Sequence, residues 1–584
     1  MATYYFDSTA AAGGTGTESS PFDALADWTP ANGDVAKLKR GSRFRESFTI
    51  TGLGGIVVED YGGASDPPAE IRGDVVIGPG DFGSPTSDTY PVSGVSSQPA
   101  TVVVNWDASV DASGRHYGHL ELAADLATCQ ATPGTWFWDD PTDTLHIHDA
   151  DDSDPRVNGK TYARGRKGDG LVLNTCDNCL VRNLVFKLWS DPDASSTGYG
   201  LRGEATYNTS FRNIVVYDSG GHAIGFASTK CLNNSIVDCT AFGLAGANAD
   251  SQFIFGLTGS PPAGFEHMTG CVMERCVAFQ YQVLGIDGAP VNTTAGCTGF
   301  ACHTGSSSNE CRDVRFIACR TVRFNDVAAQ DMLSFTHSGT HQEPSDKADP
   351  STYGVRYIDC QFLDGDSCGT LEAAHTAFVR CAFDLPYTVN TGGVGGIGVS
   401  IRAFKSTIYM ESCTISAETA ATATHCVFRP QGTSPNGEFY LRNCTFLANG
   451  STAGVWFHAA GNLIDARQCI FDRANSGSMG TGGAATASDL NMVRNTYSTR
   501  ISDTGYSAPA SFNSQAEWQA SVDAAGFYDS DPTYADTDTL EPAYGSFQKI
   551  TQDVIAGAQI VGINKKPYDG RYGAHQYGIG EIGP

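Results

Sequence analysis

The sequence predicts an all-β solenoid, in which short strands are wound coil upon coil and their apolar faces meet in a common interior. Three observations carry that expectation. First, one hexapeptide is rewritten many times: MERCVAF at 273, FIACRTV at 316, YIDCQF at 357, FVRCAF at 378, MESCTI at 410, LRNCTF at 441 and ARQCIF at 466. Second, the 584 residues include 67 glycines and only 17% charged residues, a composition of many tight turns. Third, the apolar residues alternate with period two and show no helical period.

The echoes align on a central residue: Asn183, Asn213, Cys239, Cys276, Cys319, Cys360, Cys381, Cys413, Cys444 and Cys469, at intervals of 21 to 43. A β-branched or aliphatic residue commonly sits two before the centre, and an aromatic or aliphatic one two or three after it. A unit of this size cannot bury its apolar face alone, but it can when stacked on copies of itself. Stacking places the central residues in one internal column. Thiols behave there as small hydrophobes, and an asparagine amide can pair with the next rung. The cysteines therefore read as reduced packing residues. Disulfides are the alternative, since the 18 cysteines form no local framework beyond Cys176 and Cys179. That pair reads as a rung corner, with redox or zinc chemistry as its alternative.

Each unit carries a second strand with inward apolar positions: GLVLN (170–174), YGLRGE (199–204), HAIGFA (222–227), GFACH (299–303), MLSFTH (332–337), TLEAAH (370–375), VSIRAF (399–404) and VWFHAA (455–460). About ten coils at ~4.8 Å spacing make a body roughly 50 Å long. An antiparallel sandwich would instead show Asn-Gly or Asp-Gly hairpin signals between paired strands, and these are sparse.

These residues resemble the right-handed parallel β-helix proteins of the pectate-lyase-like superfamily, among them phage tailspike and receptor-binding proteins and polysaccharide lyases. The stretch YYFDSTAAAGGTGTESSPFDAL is similar to their N-terminal cap. LKRGSRFRESFTI and VVEDYGGASDPPAEIRGD are similar to their first coils, TWFWDDPTDTLHIHDADDSDPR to a small β insertion, and YDGRYGAHQYG to a closing strand. The expected organisation is a cap and first coils over 1–110, an inserted β element over 111–160, the main β-helix over 161–475, and a linker with a C-terminal cap over 476–584. The low-complexity run SGSMGTGGAATASD (476–489) marks that linker, and a cap covers the open coil end.

Composition bounds the partners. A formal net charge of −27 with a single basic cluster, LKRGSRFR, argues against nucleic acid. No apolar run is long enough to span a bilayer, so no membrane insertion is expected, and no Sec-type leader is visible. The acidic run DADDSD (149–154) lacks the glycine and the terminal acid of an EF-hand loop, so it reads as a solvated loop, with Ca²⁺ as a weak alternative. No other cofactor or metal is expected.

Function follows the second strand. If Leu333 and Phe335 point inward, alternation sends Ser334 and Thr336 outward. The same register places Arg202, Glu204, His303, Glu372, Arg402, Trp456 and His458 on one outer wall. Beside it, loops supply Asp250, Asp287, Asp326, Asp331, His337 and His341. The longest intervals surround Cys276 to Cys360, where solenoids place binding loops. Such a wall would take an extended sugar chain. Hydrolysis needs two carboxyl groups about 5 to 9.5 Å apart, for which Asp331 with Glu372 or Asp326 are the candidates. A lyase needs a base, His303 or His337, beside a cation, Arg202 or Arg402. Arg202, Glu204, Arg402, Trp456 and His458 are the candidate substrate-binding residues. The paired-aspartate signatures of the family's polygalacturonases are absent, which leaves enzymatic activity open. The reading is a phage tailspike or tail-fibre protein that recognises, and in one version depolymerises, a bacterial surface polysaccharide. The resemblance to tailspikes implies a homotrimer that is made in the host cytoplasm and assembled with other tail proteins into the virion. Alternatives are a secreted bacterial polysaccharide lyase or glycoside hydrolase acting on an acidic glycan, and a non-catalytic structural or adhesive β-helix.

Overall fold

The computed structural model describes most of residues 1–473 and, beyond them, only strand segments between Thr481 and Pro542. The C-terminal cap expected over 476–584 otherwise lies outside the described residues. The chain is a parallel β-helix, with a 26-stranded and a 15-stranded sheet running along the coils. Successive coils pair in register. Val314–Ile317 lies against Val355–Ile358, which lies against His375–Val379, then Thr407–Glu411, then Glu438–Arg442. The second strands predicted from sequence form the 15-stranded sheet. It also includes Ser251–Leu257 and Thr424–Pro430, which the repeat pattern missed.

The hexapeptide is a corner. Its cysteines are buried free thiols, as are all the described cysteines, Cys176 and Cys179 included. The residue before each corner cysteine from Cys239 to Cys444 is left-handed: Asp238 (φ 56°), Arg275 (52°), Ala318 (51°), Asp359 (56°), Arg380 (53°), Ser412 (53°) and Asn443 (53°). This single residue bends the strand from one face of the coil to the next. The thiol that follows points inward and donates to two carbonyls. Cys360 Sγ reaches Ile358 O at 3.4 Å and, one coil back, Phe316 O at 3.3 Å, and Cys381 and Cys444 repeat the arrangement. Cysteine suits the corner because it is small and apolar yet leaves no donor unmet.

The column differs from the sequence alignment at its start. Ile214 pairs with Leu184, and Val215 pairs with Thr240, so Leu184 and Ile214 stand in line with Cys239. Asn183 (φ 61°) and Asn213 (φ 50°) are the bend residues one position earlier. Their amides do pair rung to rung, Asn213 Nδ2 donating to Asn183 Oδ1 at 3.0 Å, but on the exposed side. Asparagine is there because it tolerates the left-handed region.

Aromatic rings fill the interior. Phe316 stacks on Tyr357 at 4.4 Å and Tyr357 on Phe378 at 5.1 Å, while Phe335 packs against Phe362 at 5.0 Å. A separate core lies in the inserted element, and it begins before residue 111. Ile77, Phe82, Tyr90 and Val92 pack with Trp136, Leu145 and Ile147. Thr89–Ser93 pairs antiparallel with Thr144–His148, which pairs with Thr135–Asp139. The earlier start follows from the alternation of Tyr90 and Val92, whose apolar faces have partners only in that second sheet.

Buried ions bind this element to the coils. Arg72 donates to Asp74 at 2.7 Å and to both oxygens of Asp107 at 2.8 Å, and Lys187 meets Glu70 at 2.8 Å. Trp106 stacks on His116 at 3.8 Å and donates to the buried Asp218 at 3.0 Å. The acidic run 149–154 is internally bonded. Asp149 is fully buried, against the expectation of a solvated loop, and accepts from Lys160 (2.7 Å), Ser153 (2.6 Å) and Asn158 (3.0 Å).

Candidate functional site

The outer side of the 15-stranded sheet is defined by its inner side. Phe226, Phe255, Cys302, His337 and Leu371 are all at 0% exposure and lie in register across successive rungs. The alternate positions form two outer columns. One runs Arg202, Gly225, Ile254, Ala301, Thr336, Thr370, Arg402. The other pairs Glu204 with Ala227, and further along Gly256 with His303 and His303 with Ser338. Glu372 follows Leu371, and so takes the position opposite Ser338, two rungs from His303. Val455 and Phe457 align with Cys426 and Phe428, which leaves Trp456 and His458 at the alternate positions of that strand.

At one end the wall is tightly organised. Arg202 pairs with Asp169 at 3.2 Å and Glu204 at 3.7 Å, and its guanidinium lies 5.1 Å over the Tyr199 ring. Asp169 is itself fixed by the backbone N–H groups of Gly198 (2.7 Å) and Tyr199 (2.9 Å). Sequence reasoning missed Asp169 and Tyr199. No local motif announced them, because the Gly198 and Tyr199 N–H groups donate to a carboxylate one coil back. The charge of Arg202 is matched by these two carboxylates.

Further along, Ile254 and Ala301 are buried with Tyr199 in a small apolar cluster, so the middle of the wall is not an open groove. His303 and Thr336 are half-buried. Arg202 and Arg402 each stand three rungs from the Ala301–His303 rung. That is about 14 Å along the axis, too far for either to share one sugar carboxylate with His303. Asp250, Asp326 and Asp331 lie outside the described residues. Asp287 is exposed in a turn.

His337 and His341 are not loop residues. The strand Leu333–Ser338 continues through His337, and the period that buries Phe335 buries His337 as well. Its Nε2 meets Tyr357 Oη at 2.7 Å, and burial holds its pKa well below the usual histidine range. It cannot act as a base toward a substrate on the outer wall. His341, in Thr340–His341, is buried to 1% exposure. Among the described residues the large exposed apolar side chains are Met1, Val76, Val110, Leu122 and Val157, none of them aromatic.

No family model and no curated protein matches the chain. Solved structures do. The structure described as XylC in complex with xylose matches with a TM-score of 0.52 at 10% identity, covering 82% of this chain and 86% of that one. A glycoside hydrolase matches with a TM-score of 0.41 at 9% identity, over 90% of this chain and 99% of that one. The Gp54 tailspike of Acinetobacter baumannii bacteriophage AP22, in complex with A. baumannii capsular saccharide, matches with a TM-score of 0.28 at 9% identity, over 81% and 73%. At these identities the likeness speaks to fold. Together with the parallel ladders, the match to the XylC structure identifies the fold of the chain as a parallel β-helix.

Proposed function

We propose that this chain is a phage tailspike or tail-fibre type protein that recognises a bacterial surface polysaccharide along the outer side of the 15-stranded sheet and depolymerises it. The observation that supports this reading is the backbone register that sets His303, Ser338 and Glu372 at one-rung intervals in a single column, the spacing an extended chain would follow. Asp331, with Glu372 or Asp326, supplies the carboxyl pair for hydrolysis. Arg202, Glu204, Arg402, Trp456 and His458 extend the binding face toward both ends. Hydrolysis is favoured over elimination because His303 has neither Arg202 nor Arg402 within reach. The protein acts as a homotrimer carried on the virion tail with other tail proteins.

Incubation with a panel of bacterial capsular polysaccharides and uronate polymers tests the reading. The wild type releases oligosaccharides with new reducing ends. Asp331→Asn and Glu372→Gln lower the rate by about 10²–10⁴ while retaining binding and thermal stability. Unchanged turnover in both variants removes the site, and an unsaturated product replaces hydrolysis with elimination. A solution mass near 61.7 kDa, the mass of one chain, rather than about three times that, removes the trimer.

A further inference from the structure

At one level the apolar interior holds two imidazoles and two thiols. Cys302 and Cys311 belong to one coil, His337 and His341 to the next. Register sets Cys302 opposite His337 and Cys311 opposite His341. None of the four is more than 1% exposed. The two Sγ atoms are 3.2 Å apart, and together with a ring nitrogen of His341 they lie within 4.8 Å of one another. The His337 and His341 rings are 5.3 Å apart. Among the described residues, neither ring nitrogen of His341 nor Nδ1 of His337 has a hydrogen-bond partner.

An unmet polar atom in a dry interior costs about 1–3 kcal/mol, and here one unbonded His341 nitrogen lies within 4.8 Å of two thiols, with the unbonded Nδ1 of His337 on the neighbouring ring. A histidine buried only for packing would have its nitrogens bonded, as His337 Nε2 is by Tyr357. We propose that Cys302, Cys311 and His341, with Nδ1 of His337 as the fourth donor, bind a structural Zn²⁺ ion that clamps two successive coils together. Two thiolates and two imidazoles are a zinc donor set, and the three-residue spacing between His337 and His341 is one that zinc sites use. Charge selects the ion. Two thiolates carry −2, which Zn²⁺ cancels, whereas Cu⁺ would leave a net charge in a medium that penalises it. Zinc thiolate bonds of about 2.3 Å at the tetrahedral angle set the sulfurs about 3.8 Å apart, a shift of roughly half an ångström from their present spacing. Tyr357 serves as the outer partner that fixes the His337 tautomer and aims Nδ1 at the ion. Burial leaves no open position for water or substrate, so the ion is structural.

The test is metal analysis of the full chain after exhaustive dialysis, followed by cobalt substitution. The expected result is about one zinc per chain and, with Co²⁺, thiolate charge-transfer and tetrahedral ligand-field bands. Cys311→Ser and His341→Asn lose at least tenfold in affinity, and Cys360→Ala, in the corner column, keeps the metal. If the site variants do not fold, X-ray absorption on the wild-type zinc protein decides, with two sulfur and two nitrogen neighbours expected. Absence of stoichiometric zinc with a silent Co²⁺ spectrum, copper in its place, an all-oxygen and nitrogen shell, or a Cys302–Cys311 disulfide in the peptide map would each overturn the proposal.

Discussion

Replacing Ala318 by glycine should stabilise the protein. Ala318 sits at φ 51° in the bend before Cys319, and its side chain makes no hydrogen bond or ion pair that would confuse the result. Holding an L-residue in the left-handed region costs about 1–2 kcal/mol. Glycine removes that cost but carries about 0.5–1 kcal/mol of extra chain entropy in the unfolded state. The net expectation is a gain of about 0.5–1 kcal/mol. Ala318→Val should move the other way by about 1 kcal/mol or more, because a branched Cβ is least tolerated at positive φ. One position later the order inverts: Cys319 is at 0% exposure, so Cys319→Gly empties a packed corner and costs about 2 kcal/mol. Urea unfolding of the three variants measures the differences, and hydrogen exchange at Ile317 and Ile358 localises them, since Ala318 N–H donates to Ile358 O at 2.8 Å. A glycine variant that loses stability as the valine variant does would show that this residue is not the bend, and the corner assignment would fall with it.

Phe335 is fully buried among Tyr357, Phe362 and Phe378, so Phe335→Ala should cost about 3–5 kcal/mol and Phe335→Leu less than about 1.5, read from unfolding midpoints. Asp107→Asn weakens the anchor on Arg72; Asp107 is 35% exposed, so a cost of about 1–3 kcal/mol is expected, with faster proteolysis within residues 95–160 and little change in the coils. Burial alone would raise the Asp7 carboxyl, but Lys39 at 2.6 Å and Thr9 outweigh it and hold its pKa at about 2. Because the folded value is the lower one, this contribution, of order 1 kcal/mol after screening, is complete above about pH 4 and lost as pH falls toward 2; Asp7→Asn should lower stability by about that amount at neutral pH and flatten the curve over that window, so that variant and wild type converge near pH 2.

The coil was legible because stacking imposes a strict apolar alternation that any sequence of this kind must write once per turn. The corner was misread by one residue at Asn183 and Asn213. A left-handed bend is filled here by Asn, Asp, Arg, Ala or Ser, so the bend has no single residue signature, whereas the thiol after it does. The second strand Ser251–Leu257 was overlooked because SQFIFGL is apolar on both faces: Ile254 is covered on the outer side, and a run without alternation does not declare its period. The outer wall was legible as a register, and Arg202, Glu204 and His303 take the alternate positions that alternation assigned. What covers or charges that wall was not. Asp169 reaches Arg202 across 33 residues, a pairing set by the length of one coil rather than by any local motif. His337 was counted with the loop residues although MLSFTH (332–337) already placed it in the strand. Its neighbour Phe335 already fixed the parity that buries it.

The account rests on coils lying in register, one above another, and a cross-link across the exposed bend ladder measures this most directly. Asn183 and Asn213 are 30 residues apart and hydrogen-bonded at 3.0 Å on the surface. The double variant Asn183→Cys with Asn213→Cys should form a disulfide under mild oxidation of the folded protein, with the 183–213 peptide pair recovered by mass spectrometry and native stability retained. Failure of that pair to form in folded protein, or its formation only after unfolding, would contradict the stacked-coil arrangement from which the corner, the wall and the interior metal site all follow.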